Sequence, residues 1–525
     1  MEHNRASQSD SPIPANGPMI SKIHSLELAG AVSALLMVAF GFLTRGWFGT
    51  LILPEIIANT VLRFMPIGLF SAGLGLFGGW AKPILLGSVI LGIASIGSAI
   101  ARFDAQALDD LSIRSRVRRT LGLIVAVWVP LAIFGVFLSP LGIVFFATNR
   151  DLLALELALL AGVAVYGLSL YWFFPLATGR IRLFVDDVDA PARSQGRRRL
   201  LGQATAGAVG LVGLAYLGRL VLGIKAGATG DREGEISLPV TPTPEFYTVS
   251  KNIIDPSVSP GGWSLAIRGM VENEFDITYD ELLQYPSVEQ HATLTCISNP
   301  IGGDLIDNAI WVGVRLSDVL EQAGVHGEPG RVAFHGEDGY SDSFEFSKAI
   351  EPTTIIAYLM NGEALTDKHG FPARLIVPGK YGIKNGKWLR MIELVDDFRG
   401  YWQHRGWTNE GNIKTISLFE RPLDRAVLSQ EPQEIGGLAF AGPRGISKVE
   451  YSLDDGVTWI EAETLDNPGP LSWTIWRTLW TPAGSGAYEL QVRATDGTGE
   501  LQSPEQADPE PDGASGYHRV VVGIA

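Results

Sequence analysis

Lys368-His369-Gly370-Phe371-Pro372-Ala373-Arg374-Leu375-Ile376-Val377-Pro378-Gly379-Lys380-Tyr381-Gly382-Ile383-Lys384-Asn385-Gly386-Lys387-Trp388-Leu389 is the stretch from which the rest of the chain can be read. Leu375–Val377 has the composition of a short strand. Three glycines follow it, Gly379, Gly382 and Gly386, and glycine lets a backbone come close to a ligand. Arg374, Lys380, Lys384 and Lys387 add cationic donors. Backbone N–H groups combined with Lys and Arg are the ingredients of a phosphate-binding loop. The stretch has no Walker or dinucleotide fingerprint, so it is not a standard nucleotide loop. A solvated basic surface loop could carry the same residues, and on the residues alone both readings stay open.

The loop stands out because its surroundings are acidic. The chain has 525 residues and a net charge of -15. Residues 1–226 carry 19 Lys and Arg against 12 Asp and Glu, while the remainder carries 22 against 44. A mean hydropathy of +0.18 for so acidic a chain means that apolar mass is concentrated in one part. A basic, apolar half is therefore joined to an acidic, water-facing half, which excludes a simple cytosolic enzyme. The acidic half also argues against nucleic acid as a partner. One cysteine, Cys296, excludes a disulfide scaffold, a thiolate-held iron–sulfur cluster and a Cys-rich zinc site.

Apolar runs of about 20 residues can cross a bilayer. Six are predicted: Leu26–Leu43, Val61–Gly79, Pro83–Ala101, Leu121–Ser139, Leu153–Leu176 and Leu200–Gly223. They are too uniformly apolar for soluble helices with a polar face. Arg45 and Arg63, the group Arg102 to Arg119, and the group Arg180 to Arg199 fall on one side of a six-span arrangement. The positive-inside rule makes that side cytoplasmic and puts everything after Gly223 outside. Arg197-Arg198-Arg199-Leu200-Leu201 has the form of a twin-arginine export signal or of an ordinary positive flank; either sends the C-terminal half across. The spans hold no histidine, so no membrane haem is expected.

Residues 226–244, rich in Gly and Pro, read as a linker. Thr278-Tyr279-Asp280-Glu281 is a capping box opening a short helix. Leu316–Ala323 reads as a helix capped at or next to Ser317 and stopped at Gly324. Strands are expected at Trp263–Val271, Ala292–Cys296, Arg331–His335 and Leu375–Val377, an α+β mixture. From about Thr415 short strands recur at roughly ten-residue spacing, from Lys448–Leu453 to Arg519–Gly523, as in an immunoglobulin-type β-sandwich without its disulfide. Cys296 closes one of these predicted strands. A free thiol in an oxidising compartment is a liability, and a nucleophile, a metal ligand or an inert buried side chain would each account for it.

Taken together, His-Gly-Phe-Pro-x-Arg at 369–374, Val377-Pro378-Gly379, Lys387-Trp388-Leu389 and a Cys-x-x-Asn about seventy residues upstream resemble the molybdenum-cofactor domain of the sulfite oxidase family. The resemblance runs from about Phe246 to Ala525 and includes Val449–Trp459, Trp476-Arg477, Trp480 and Tyr517-His518-Arg519-Val520, which are similar to the family's dimerisation domain. It implies that Cys296 is the thiolate ligand of molybdenum, beside the pterin dithiolene. It implies that His369 and Arg374 hold the pterin phosphate, and that Lys384, Asn385, Gly386 and Lys387 belong to the loop closing on it. Tyr247, Ser250, Lys251 and Asn252 match the first pterin-contacting segment, and Tyr340 an active-site tyrosine near the metal.

Where the family places anion-binding Arg residues, this chain has Pro300–Asp304, Lys251 and the acidic and small residues of Asp508–Ser515. The expected substrate is therefore a small oxyanion, sulfoxide or oxide rather than sulfite alone. No haem domain of cytochrome-b5 type is present, so electrons pass to or from an external carrier, a cytochrome or a quinone-linked protein. The expectation is a multi-domain chain: a tail at 1–25, an all-α transmembrane bundle at 26–225, a linker, an α+β molybdopterin domain at 245–414 and an Ig-like sandwich at 415–525. It sits in lipid with 226–525 outside, and the sandwich can pair two copies into a homodimer. The contrasting readings are a cofactor-free binding or scaffold module on the same fold, and a transporter-like protein with a sensor domain. The solitary thiol argues against the first, and the lack of charge at span centres against the second.

Overall fold

The computed structural model describes residues 17–48, 51–65, 69, 77, 80–108, 113–138, 149–178, 236–465 and 467–525. They form two compact units, one helical and one dominated by β-structure.

The helical unit contains α1 (Gly17–Phe48), α2 (Leu53–Phe64), α3 (Ala81–Leu108), α4 (Ile113–Leu138) and α5 (Asn149–Thr178). Among the described residues, three helical stretches are long and apolar enough to cross a membrane: Leu26–Arg45, Ala81–Phe103 and Leu155–Phe173. The expected span Leu121–Ser139 is helical through Leu138, within α4. The span expected at Val61–Gly79 starts inside α2, which ends at Phe64, and lies mostly outside the described residues. The span Leu200–Gly223 and the Arg197–Arg199 motif lie outside them altogether. Small residues bring α1 and α3 together: a Cβ on Gly30 would stand 2.4 Å from the Gly97 carbonyl oxygen. The Tyr166 hydroxyl donates to that same oxygen at 2.9 Å, and Ser98 donates to the Glu27 carbonyl at 2.8 Å. Close backbone approach with hydroxyl bonds is how helices associate where no hydrophobic gradient drives them.

The second unit holds four sheets. β1 (Ser264–Gly269), β2 (Phe275–Thr278), β5 (Arg331–Gly336), β6 (Ser341–Glu345) and β10 (Leu389–Val395) form a sheet in the order β2-β1-β10-β5-β6. β3 (Ser287–Thr295), β4 (Ile306–Arg315), β7 (Ile355–Met360) and β8 (Glu363–Ala364) form a second, with β9 (Arg374–Ile376) paired to β7. A core of Leu265, Ile267, Val314, Val319, Phe334, Phe344, Ile356, Leu375 and Ile392, all fully buried, joins the two sheets and the helix Leu316–Ala323. The capping box forms as expected, Thr278 Oγ1 accepting from Glu281 N and Thr278 N donating to Glu281. The helix Leu316–Ala323 stops at Gly324 with φ +70°, but its N-cap is Arg315 without a side-chain cap, not Ser317. Leu316 there is fully buried, so packing starts the helix in place of a cap.

Strand β4 escapes the sequence pattern because Asp307 and Asn308 interrupt its apolar run. Both are buried and pin the segment before the domain: Asp307 accepts from Thr241 Oγ1 at 3.0 Å and Tyr247 N at 2.5 Å, and Asn308 donates to Pro239 O at 2.7 Å. The end of the stretch read as linker is therefore held down, with Ser237 and Thr241 buried.

The last two sheets have the orders β11-β13-β17-β16 and β12-β19-β18-β14-β15. They comprise β11 (Ile416–Arg421), β12 (Val427–Leu428), β13 (Gln433–Phe440), β14 (Ile446–Ser452), β15 (Ile460–Glu461), β16 (Glu463–Thr464), β17 (Thr474–Trp480), β18 (Gly486–Asp496) and β19 (His518–Ile524). They face each other across one core, with Phe419, Ile435 and Trp476 from one and Val449, Val492 and Val522 from the other. Trp473 N donates to Thr293 Oγ1 at 2.9 Å, tying this pair of sheets to β3.

Candidate active site

Cys296 follows β3 directly, and its N–H extends the β3–β4 ladder by donating to Leu305 O at 2.9 Å. The side chain is buried, and its Sγ lies 3.0 Å from Ser298 Oγ. Burial pushes the thiol pKa up, partly offset by Ser298 and nearby backbone. The glycine loop comes to this point: a Cβ on Gly382 would lie 3.2 Å from Tyr247 Oη, 3.4 Å from Thr295 O and 3.8 Å from Cys296 Cα. The turn therefore packs closely against Cys296 and Tyr247. The phenols of Tyr247, Tyr340 and Tyr381 are all raised in pKa, first by burial, and a Cys296 thiolate lies close enough to raise each further. Tyr381 reaches about 12. Three phenols that burial keeps protonated thus lie within electrostatic reach of Cys296.

Arg374 opens β9 and is buried, its guanidinium donating to His369 O and Asn385 O at 3.2 Å each and lying 5.0 Å from the Trp311 ring centroid. Burial lowers its pKa to about 10. Its Nε has no hydrogen-bond partner, and among the described residues it forms no ion pair. A buried guanidinium bonded only to neutral carbonyls has no counter-charge beside it, which makes Arg374 a candidate to hold an anion. Asn385 locks the loop, accepting from Val377 N at 2.7 Å and donating to Lys380 O and Tyr381 O. Gly386 packs on Phe334, where a Cβ would come within 2.4 Å.

His369 lies beside them, Nε2 3.1 Å from Thr243 O. A carbonyl only accepts, so Nε2 carries the proton and Nδ1 is the acceptor in the neutral ring. Burial, then Arg374, holds its pKa at about 4. Lys387 donates to Lys368 O at 2.9 Å and lies 4.3 Å from the Trp388 ring centroid. Lys384 differs from the expectation of an available cationic donor. Its ammonium is wholly buried and bonded to Asp342 at 2.7 Å, with both side chains at 0 % exposure.

In the first segment, Ser250 Oγ accepts from Asn252 N at 3.1 Å, and Asn252 Nδ2 donates to Asp338 at 2.9 Å. Lys251 Nζ donates to Asn252 Oδ1 at 2.9 Å and Asp338 O at 2.7 Å. Tyr340 Oη lies 3.0 Å from Asp342 Oδ2 and 2.8 Å from Ile383 O. The structure thus brings Cys296, Tyr247, Tyr340 and the 382 turn into one cluster, and Arg374, His369 and Asn385 into an adjoining one. Asp338 and Asp342 escaped the sequence reading. A signal for Asp342 was present: strand alternation puts Tyr340, Asp342 and the buried Phe344 on one inward face.

A β-sheet domain with a buried thiol at a strand end, a glycine loop against it and a buried guanidinium that forms no ion pair among the described residues has the features of a cofactor-binding domain. Residues 252–402 match the family described as "Oxidoreductase molybdopterin binding domain". The chain is 33% identical over 151 residues to the uncharacterized oxidoreductase YuiH of Bacillus subtilis, 29% of this chain and 74% of that one. It is 28% identical over 349 residues to mitochondrial sulfite oxidase of Drosophila melanogaster, 54% of this chain and 59% of that one. Sulfane dehydrogenase SoxCD of Paracoccus pantotrophus is a solved structure with 26% identity and a TM-score of 0.48, covering 55% of this chain and 82% of that one. The chain belongs to the sulfite oxidase family of molybdopterin-dependent oxidoreductases, whose cofactor is molybdenum–molybdopterin. It spans a little over half the length of the animal sulfite oxidases it matches.

Proposed function

We propose that this chain is a membrane-anchored molybdopterin oxidoreductase in which Cys296 ligates molybdenum and a small oxyanion, sulfoxide or oxide is the substrate. The observation that carries this reading is Arg374, a buried guanidinium without a carboxylate among the described residues, next to the loop whose Gly382 closes on Cys296. When bound, the cofactor supplies oxygen-atom or two-electron transfer, with one-electron steps to an external carrier. Cys296 offers a soft thiolate, the ligand type this metal favours. Arg374 offers Nε to the pterin phosphate, while Asn385 and Gly386 hold the loop shape and Lys387 stands at its edge. Neutral His369 keeps its proton on Thr243, so it shapes the phosphate pocket without adding charge. Tyr247, Ser250, Lys251 and Asn252 form the first pterin-contacting segment. Tyr340 presents a neutral phenol beside the metal, held by Asp342. Lys384 acts through the Asp342 pair and the loop backbone.

The three apolar helices support a bundle at 26–225 that anchors the enzyme in lipid, with 226–525 on the extracytoplasmic side. The facing sheets of 415–525 support an Ig-like domain able to pair two copies, and 245–414 is the cofactor domain. Elemental analysis for molybdenum and fluorescence for oxidised pterin test the centre in the full-length protein. Wild type from a cofactor-competent host should carry about one molybdenum per chain, and Cys296→Ala should lose it. A metal-free wild type refutes the reading.

A further inference from the structure

The lysines around the site would, if uncompensated, make it an anion trap. Three of them, Lys251, Lys380 and Lys384, instead meet a carboxylate from one short segment, Asp338 to Glu345. Lys251 Nζ lies 3.6 Å from Asp338 Oδ2, with the side chains 7% and 4% exposed. Lys384 Nζ lies 2.7 Å from Asp342 Oδ1, both at 0 % exposure. Lys380 Nζ lies 2.7 Å from Glu345 Oε2 and also donates to Glu410 O and Asn412 Oδ1. Tyr340 connects this segment to Cys296: its hydroxyl is bonded to Asp342, and Asp338, Asp342 and Cys296 all lie within electrostatic reach of it. Arg374 forms no ion pair among the described residues, and the proposed pterin phosphate takes it up.

We propose that Asp338 and Asp342 are specificity-determining residues that cancel the charge of Lys251 and Lys384, so that the site selects a neutral oxide or sulfoxide over a dianion. This rests on the reading of Cys296 and Arg374 as cofactor-binding groups. A paired lysine and carboxylate leave only a dipole, whose field falls off faster than that of a charge. A dianion entering beside these protonated phenols gives up hydration without gaining a counter-charge, whereas a neutral S–O group needs only hydrogen-bond donors. Removing one carboxylate turns a dipole into a buried cation that recruits an anion. Removing both partners restores neutrality.

The test uses full-length, detergent-solubilised holoprotein and sulfate, a redox-inert dianion, as the probe. Turnover of dimethyl sulfoxide with a reduced viologen dye is measured in sodium sulfate against sodium chloride of equal ionic strength. Melting temperature is measured in the same buffers. Wild type should show no sulfate-specific inhibition or stabilisation. Asp338→Asn and Asp342→Asn should bring sulfate inhibition at least tenfold tighter and a rise in melting temperature specific to sulfate. The double variant Asp342→Asn/Lys384→Met should return to wild-type insensitivity. If Asp342→Asn fails to fold, Asp338→Asn and the double variant carry the test. Competitive sulfate inhibition of wild type as tight as in Asp338→Asn, or a kcat/KM for sulfite equal to that for dimethyl sulfoxide, overturns the proposal. Absence of molybdenum would instead overturn the underlying reading, and the melting measurements would still decide the charge balance.

Discussion

Replacing Arg374 by Met should cost modest stability without cofactor and most of the cofactor affinity with it. Without it, the guanidinium is buried against carbonyls and an aromatic ring, and burial lowers its pKa from 12.5 to about 10. At about 1.4 kcal/mol per pKa unit, that is a penalty on the order of 3 kcal/mol for keeping the charge inside. Two hydrogen bonds to His369 O and Asn385 O return about 1.5–3 kcal/mol each, and the Trp311 face adds about 1 kcal/mol. Met keeps most of the packing volume on Trp311 but leaves those carbonyls unpaired. About 4–7 kcal/mol returned against about 3 kcal/mol spent predicts a cofactor-free loss of about 1–4 kcal/mol. With cofactor, the lost charge-assisted contacts to an anion should weaken binding at least a hundredfold, about 2.7 kcal/mol. Urea unfolding of full-length protein from molybdopterin-deficient and competent hosts, with molybdenum content measured in parallel, reads both terms. An Arg374→Met variant that loses more than about 4 kcal/mol without cofactor, or that retains full molybdenum content, would refute the assignment of Arg374 to an anion.

Gly386→Ala places a methyl within 2.4 Å of the fully buried Phe334 ring, while Gly386 O is held by Leu375 N at 2.8 Å. Overpacking of this kind costs about 1–3 kcal/mol, and adding Phe334→Leu should recover part of it in a melting experiment. Two buried histidines, His335 and His369, and the half-buried His518 have pKa values lowered by desolvation from 6.5 to about 4. The unfolded chain therefore binds their protons first, so stability is full above pH 6.5 and falls as pH drops from 6.5 to 4. Each contributes on the order of 3 kcal/mol, and a chevron series across that range should show the slope; flat stability between pH 7 and 4.5 would contradict it. The fragment 226–525, whose cores are internal to it, should express as soluble protein and load cofactor, as gel filtration and metal analysis would show; persistent aggregation would mean the helices are structurally required.

Much of the fold is legible in local pattern. The Thr278–Glu281 box, the Gly324 stop, the strand ending at Cys296 and the strands of 446–524 follow from signals within a few residues of each other. Strands β4 and β7 are less legible. Buried Asp307 and Asn308 break the apolar run of β4, and their partners, Thr241, Tyr247 and Pro239, lie some 60 to 70 residues away.

The sequence by itself determined which chemistry the site can use: one thiol, a glycine loop with cations, and a basic apolar half joined to an acidic one. The tertiary structure decided which of those cations remain available. Lys251 and Asp338 are 87 residues apart, Lys384 and Asp342 are 42, and Lys380 and Glu345 are 35. No periodicity links such positions. A lysine in a glycine loop looks free until the fold brings a carboxylate to it, and burial then makes the pairing obligatory, because an ammonium removed from water must find a counter-charge. Arg374 lacks such a carboxylate among the described residues, and that difference, invisible in the run from Arg374 to Lys387, separates the cation proposed to hold the cofactor from those that hold the protein.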